Sequence, residues 1–263
     1  MNKNIEDYKK NGYCIIKNLL SKELLENCNN YINNYHDFDE SDLVPYTTLP
    51  SLYKNIYNVD SPFLEILKNN KIIKFLKLLN IKDLSYLFPR CYSKSRWYGT
   101  AADYHQEIFF NKNYGYDITE DDVFQIFISL NDHNENNSCL RIIPKSHTLG
   151  LLEHKQFIDN KIFEKARIPN EIMDDCYNKF GIYNCNLKAG DCLIFHPLTI
   201  HGSPTNASPF DRRAFASGIV CKDIISNYDK DNKIRLAYVK KRKDFVENEC
   251  IKKIQKLKDI DNY

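Results

Sequence analysis

The sequence predicts a mainly β fold with flanking helices, a sandwich or barrel of the jelly-roll kind. Beyond Phe88-Pro89, strand-length apolar runs dominate to about Cys221. The clearest are Val123 to Leu130, Leu140 to Ile143, Cys192 to Phe195 and Ala214 to Cys221. They are short and separated by turn-forming stretches, Asn131-Asp132 through Ser138 and Lys188-Ala189-Gly190-Asp191, a spacing typical of closed or two-sheet antiparallel folds. Helical patterns lie on both sides of this block.

In chain order, Gly12-Tyr13-Cys14-Ile15-Ile16-Lys17 is a β-prone run. Ser21 follows as an N-cap for a helix with Leu24, Leu25, Cys28, Tyr31 and Ile32 on one stripe. From Tyr35 to Asn58 the pattern gives way to an acidic and aromatic loop punctuated by Pro45 and Pro50. Ser61-Pro62 is a cap with proline at the first helical position; it starts helical material through Leu79, with a break at Asn69-Asn70. These helices are expected to brace a sheet. The stretch 150–183 interrupts the strands with mixed signals, as an insertion that serves as a lid or binding loop would. After Asp223 the chain turns polar, and Val246, Cys250, Ile254 and Leu257 recur at helical spacing, which predicts a docked terminal helix. The reading is one domain over 1–263: an N-terminal strand and bracing helices in 1–90, a core in 91–222, and an extension in 223–263.

At 263 residues, 43% of them hydrophobic and 13% aromatic, the chain has ample apolar material for a substantial core. Its net charge of +2 is too balanced to argue for nucleic acid or an anionic membrane as partner. The run Lys240-Lys241-Arg242-Lys243 reads as solvated surface. Nine cysteines without a CxxC pair fit reduced, buried thiols. No stretch approaches the ~18 apolar residues of a membrane span, and the amino-terminal residues lack the apolar segment of an export signal. A cytoplasmic location is expected.

The chemistry centres on Tyr104-His105-Gln106-Glu107. In an extended strand, side chains two apart share a face, so His105 and Glu107 project together. His196 and His201, at the end of the apolar run from Asp191 to Phe195, both offer a third donor. Two imidazoles and a carboxylate cover one face of an iron ion and leave positions open for substrate. Arg212-Arg213 enters another strand. A guanidinium there suits a dicarboxylic cosubstrate chelating the metal, and Ser203 adds a hydroxyl to the same carboxylate. His147 and Arg141 read as parts of a strand and its closing turn; His36, His133 and His154, in polar contexts, read as surface residues.

These motifs, in order, are Gly12-Tyr13-Cys14-Ile15-Ile16-Lys17, Tyr104-His105-Gln106-Glu107, Ser138-Cys139-Leu140-Arg141-Ile142-Ile143-Pro144-Lys145-Ser146-His147, Ala189-Gly190-Asp191 and the block from Phe195 to Ala214. Together they resemble the phytanoyl-CoA dioxygenase (PhyH) family of Fe(II)/2-oxoglutarate-dependent oxygenases. The resemblance implies a double-stranded β-helix, metal ligands at His105, Glu107 and His201, and a 2-oxoglutarate salt bridge at Arg212. It implies Fe(II) as cofactor, 2-oxoglutarate and O2 as cosubstrates, and no catalytic side chain beyond the ligands. Hydroxylation of a C–H bond with release of succinate and CO2 is the expected outcome. Two positions depart from the family pattern: Glu107 stands where Asp is usual, and Ser138 where Gly is common. Halogenase relatives lose the carboxylate altogether, so Glu107 argues against that chemistry. The competing reading is a non-redox metal-dependent cupin-like isomerase or sugar-modifying enzyme; Arg212 and Ser203 argue against it.

The expected substrate is a small soluble metabolite, conjugated and anionic compounds among the options, held under 150–183 and near the loop from Tyr92 to Tyr98. Lys94 and Arg96, just ahead of His105, are its candidate contacts; surface charge or 2-oxoglutarate binding is the alternative for both.

Overall fold

The computed structural model describes residues 2–34, 61–79, 85–97, 99, 101–113, 118–158 and 164–220. Helix α1 (Asn2–Asn11) leads into β1 (Tyr13–Ile16) and α2 (Lys22–Asn33). The Ser21 hydroxyl accepts from the Leu24 amide at 3.1 Å, which ends the search of one orphan donor of α2 for a partner. The helical stretch after Pro62 breaks where its asparagines foretell: α3 (Phe63–Leu67) stops, and the Asn69 side chain accepts from the Lys71 amide to start α4 (Asn70–Leu78).

Ten further strands follow: β2 (Ser85–Lys94), β3 (Ala102–His105), β4 (Val123–Ser129), β5 (Arg141–Ile142), β6 (Lys155–Ile158), β7 (Glu164–Arg167), β8 (Tyr183–Asn184), β9 (Cys192–Phe195), β10 (His201–Ser203) and β11 (Arg212–Val220). Helix α5 (Glu107–Asn113) lies between β3 and β4, and α6 (Asn170–Phe180) between β7 and β8. One sheet has the order β1-β9-β4-β11-β2 and the other β3-β10-β5-β8, antiparallel throughout, with β6-β7 as a separate pair.

The larger sheet is buried on both faces, so its strands read as continuous apolar runs rather than alternating ones. Phe124, Ile126, Ile128, Ile194 and Phe215 face the bracing helices, packing with Cys28, Phe63, Ile66, Phe75 and Leu76. Phe63 stacks on Phe215 with ring centroids 5.8 Å apart; truncating such a ring to alanine costs about 3–5 kcal/mol. On the inner face, Phe127, Leu193, Phe195 and Ala214 meet Leu140, Ile142 and Leu187. Pro89 sits on the edge strand β2 at an irregularity, where Arg90 pairs with Ala216 but Leu87 with Gly218; a residue without an N–H is tolerated there.

The described residues of the insertion do not form a lid over the inner face. α6 and Ile168 pack with Ile143 and Ile200 on the outer side of the smaller sheet, and Tyr177 meets Tyr104 edge-on. None of the described residues of 150–183 lines the central cavity. His133 is buried, not on the surface: its Nε2 donates to the Arg213 carbonyl at 2.8 Å, and burial and the neighbouring Arg212 charge hold it down at about 3. The seven cysteines described are free and buried. His36 and the expected terminal helix lie outside the described residues, within which no helix is long and apolar enough to cross a membrane.

Candidate active site

His105 ends β3 and lies directly opposite His201 of β10 in the antiparallel ladder. Glu107 does not share the strand, as parity had suggested; it opens α5, and the turn at Gln106 brings its carboxylate back over both rings. Glu107 Oε2 is 3.6 Å from His105 Nε2 and 3.7 Å from His201 Nε2, and one ligand atom from each of the three lies within 4.8 Å of the others. Neighbouring ligands on a six-coordinate ion with bonds of about 2.1 Å are about 3 Å apart, so the trio needs only a small contraction to hold one. Among the described residues no other such group of His, Cys, Asp and Glu occurs.

Both imidazoles are aimed by their far nitrogens. His105 Nδ1 bonds the Asp103 carbonyl at 2.6 Å, and His201 Nδ1 the Thr199 carbonyl at 3.0 Å. Donation from Nδ1 leaves each Nε2 with its lone pair towards the trio, the tautomer a metal ligand needs. Burial and the His105 charge push His201 down to about 3. Burial would raise Glu107, but the hydrogen bond from His105 and the charges of Arg90, His105 and His201 outweigh it and hold the carboxyl at about 2. Glu107 is therefore held ionised beside the two rings. Gln106 is the hinge: fully buried, its amide donates to the Gly150 and Leu198 carbonyls and accepts from Leu152 N, each at 2.8 Å. Its own backbone N–H donates to His154, which stacks on Phe109. His154 is thus half-buried and bonded beside the site, not a surface residue.

The trio opens on a cavity of about 170 Å³ between the sheets. Arg212 and Lys94, register partners across β11 and β2, are both buried at one end of it. Arg212 Nη1 donates to the Ser138 carbonyl at 2.9 Å, while its Nε has no partner among the described residues; burial draws the guanidinium down to about 10. Lys94 Nζ donates to Ser203 Oγ at 2.7 Å and to the Pro204 carbonyl at 2.6 Å. Two buried cations and a hydroxyl on one wall suit an anion.

Of the expected positions, His105, Glu107, His201, Arg212, Ser203 and Lys94 all line this cavity. Arg96 does not: it is exposed, and its backbone N–H donates to Asp211. His196 lies outside the cavity, beside Tyr8 and His147, with Nδ1 accepting from Leu198 N. Arg213 turns outward to Asn33 and Asp211. Sequence reasoning missed Arg90, Asn111 and Gln125 in the lining. Arg90, Tyr92 and Lys94 do alternate along one strand face, a signal available in the sequence.

Residues 88–214 match the family model described as Phytanoyl-CoA dioxygenase (PhyH). Over these residues the chain is similar to the phytanoyl-CoA dioxygenase family. It is 27% identical over 188 residues to the phytanoyl-CoA dioxygenase domain-containing protein 1 homolog of Dictyostelium discoideum, an alignment over 69% of this chain and 63% of that protein. It is 29% identical over 121 residues to the L-proline trans-4-hydroxylase of Streptomyces griseoviridis, over 42% of this chain and 44% of that one. The chain thus spans less than two thirds of either relative. EctD from S. alaskensis, crystallised with 2-oxoglutarate and 5-hydroxyectoine, superposes with a TM-score of 0.66 at 14% identity, covering 84% of this chain and 76% of EctD. The shared architecture is a double-stranded β-helix.

Proposed function

We propose that the protein is an Fe(II)- and 2-oxoglutarate-dependent dioxygenase that hydroxylates a C–H bond of a small-molecule metabolite. The observation that carries this reading is the His105–Glu107–His201 trio facing a cavity whose far wall holds Arg212, Lys94 and Ser203. Bound iron, with 2-oxoglutarate and O2, supplies the oxidising power: one oxygen atom leaves in succinate as CO2 is released, and the other enters the substrate.

The chain's own residues do the holding. Asp103 and Thr199 carbonyls fix the imidazole tautomers, and Glu107 contributes the one negative charge, so the trio suits a divalent ion with open positions left for cosubstrates. Arg212 offers its guanidinium to the distal carboxylate of 2-oxoglutarate, with Ser203 and Lys94 as neighbouring donors. Phe127, Leu140 and Phe195 make the walls between apolar, which keeps water from competing inside the cavity. The match to the family model and relatives named for hydroxylated small molecules support the reading. A non-redox isomerase with the same trio has no need of a buried cationic wall.

The test is succinate release from 2-oxoglutarate by the iron-loaded protein, with the mass of the co-product. Succinate formation dependent on Fe(II) and O2, with a product one oxygen atom heavier, is expected. Metal-dependent conversion that proceeds without O2, or a product of unchanged mass, would overturn it.

A further inference from the structure

The cavity carries a second cationic position that the 2-oxoglutarate wall does not use. Along β2, Arg90, Tyr92 and Lys94 share the inner face and all line the cavity. Lys94 pairs with Arg212 in register, and Arg90 with Ala216, four residues further along β11. At about 3.3 Å per residue the two cationic positions are about 13 Å apart. Small side chains, Ala214, Ala216 and Gly218, form the β11 strip between and beyond them.

Arg90 Nη2 lies 3.4 Å from Glu107 Oε1, the oxygen turned away from His105 and His201, so this cation sits beside the trio. Asn111, one helical turn after Glu107 on α5, also lines the cavity; it is 3% exposed, and its amide nitrogen has no hydrogen-bond partner among the described residues. A buried donor left without a partner costs about 1–3 kcal/mol, a penalty that a ligand acceptor removes. Gln125, the one polar side chain on the inner face of β4 before Ser129, closes the same end beside Gly218. The end of the cavity away from Arg212 therefore presents a guanidinium and two amides around one space.

We propose that this end binds the carboxylate of the organic substrate, with Arg90 as its charged anchor and Asn111 as a second donor, so that the substrate class is small carboxylic acids. A guanidinium has five donors in a planar fork, enough to keep one on Glu107 and present others to a second carboxylate. The anchor then lies next to the trio, which places the hydroxylated carbon close along the chain to the carboxylate. The inference rests on the oxygenase reading above, and uncoupled turnover separates the two.

The experiment measures succinate release by the iron-loaded protein with a panel of free amino acids, 2-hydroxy acids and linear short-chain acids, each beside its primary amide. Anaerobic calorimetry of the active acids on the Fe(II)–2-oxoglutarate protein gives binding without turnover. Acids that raise succinate release while their amides do not are expected. Arg90→Gln should weaken binding and raise the half-saturating acid concentration about tenfold or more. Asn111→Leu, which leaves Glu107 its Arg90 partner, should shift the same constant in the same direction. Amides that serve as well as acids, no acid that stimulates, or an Arg90→Gln defect confined to iron retention would overturn the proposal. Absence of any succinate from the parent protein would instead strike the oxygenase reading.

Discussion

His201 stands opposite His105 in the β3–β10 ladder, with ring centroids 4.3 Å apart, although 96 residues separate them in the chain. A ladder pair fixes the distance between the two imidazoles as firmly as the backbone hydrogen bonds fix the strands. The preparation of the site is thus a property of the fold, with one acidic residue swung in from a helix.

Gln106 should matter to both stability and metal retention. Its side chain satisfies two carbonyls and an amide that are otherwise buried, and leaving such groups unpaired costs about 1–3 kcal/mol each before any relaxation. Gln106→Ala should lower the free energy of unfolding by at least about 2 kcal/mol and weaken iron binding, since the turn carrying Glu107 loses its anchor. Urea denaturation and iron titration check this. An unchanged midpoint with unchanged iron would show the turn to be held by other contacts.

Arg212 and Arg213 are neighbours with opposite surroundings, the first inside the cavity and the second paired outward with Asn33. Removing one partner of a buried charge-assisted contact costs about 2–5 kcal/mol. Arg212→Ala should therefore raise the half-saturating 2-oxoglutarate concentration about thirtyfold or more, and Arg213→Ala less than about threefold. Equal shifts would remove Arg212 from the cosubstrate role.

Acid should destabilise the fold partly through His133. Burial brings it from the ordinary 6.5 to about 3, so between those values the unfolded chain binds a proton that the native chain refuses. Its contribution is complete above about pH 6.5 and is lost as pH falls towards 3, with about 2 kcal/mol gone by pH 5. Urea midpoints at pH 7 and pH 5 should therefore differ less in His133→Gln than in the parent. An identical acid loss in both would assign the effect elsewhere, His196 and His201 being also held low by burial, at about 4 and about 3.

What the sequence made legible follows from burial. β1, β4, β9 and β11 announce themselves because apolar residues fill both faces of the larger sheet, and α2 and α4 because their caps are asparagine or serine. β3 and β10 do not, since Ala102–His105 and His201–Ser203 are short, and functional polar groups displace the apolar pattern. Motif order points to His105, Glu107 and His201, but a strand-to-helix turn and not strand parity brings the first two together. Glu107-Ile108-Phe109-Phe110-Asn111 buries Ile108 and Asn111 three apart, a helical period too short to outweigh a strand reading. His133 was misread because its neighbours Asn131, Asp132, Asn134 and Glu135 are polar; its ring faces inward from a polar loop. Arg96 was grouped with Lys94 by sequence distance alone, but β2 ends at Lys94, so its alternation does not reach Arg96.

The most direct test of the metal assignment is an anaerobic titration of the metal-free protein with Fe(II) and then 2-oxoglutarate, followed by visible absorption. A weak metal-to-ligand charge-transfer band, saturating at one iron per chain, is expected for the parent and for His196→Ala, and no band for His201→Ala. A parent protein without the band, or a band that survives His201→Ala and disappears in His196→Ala, would contradict the site described here.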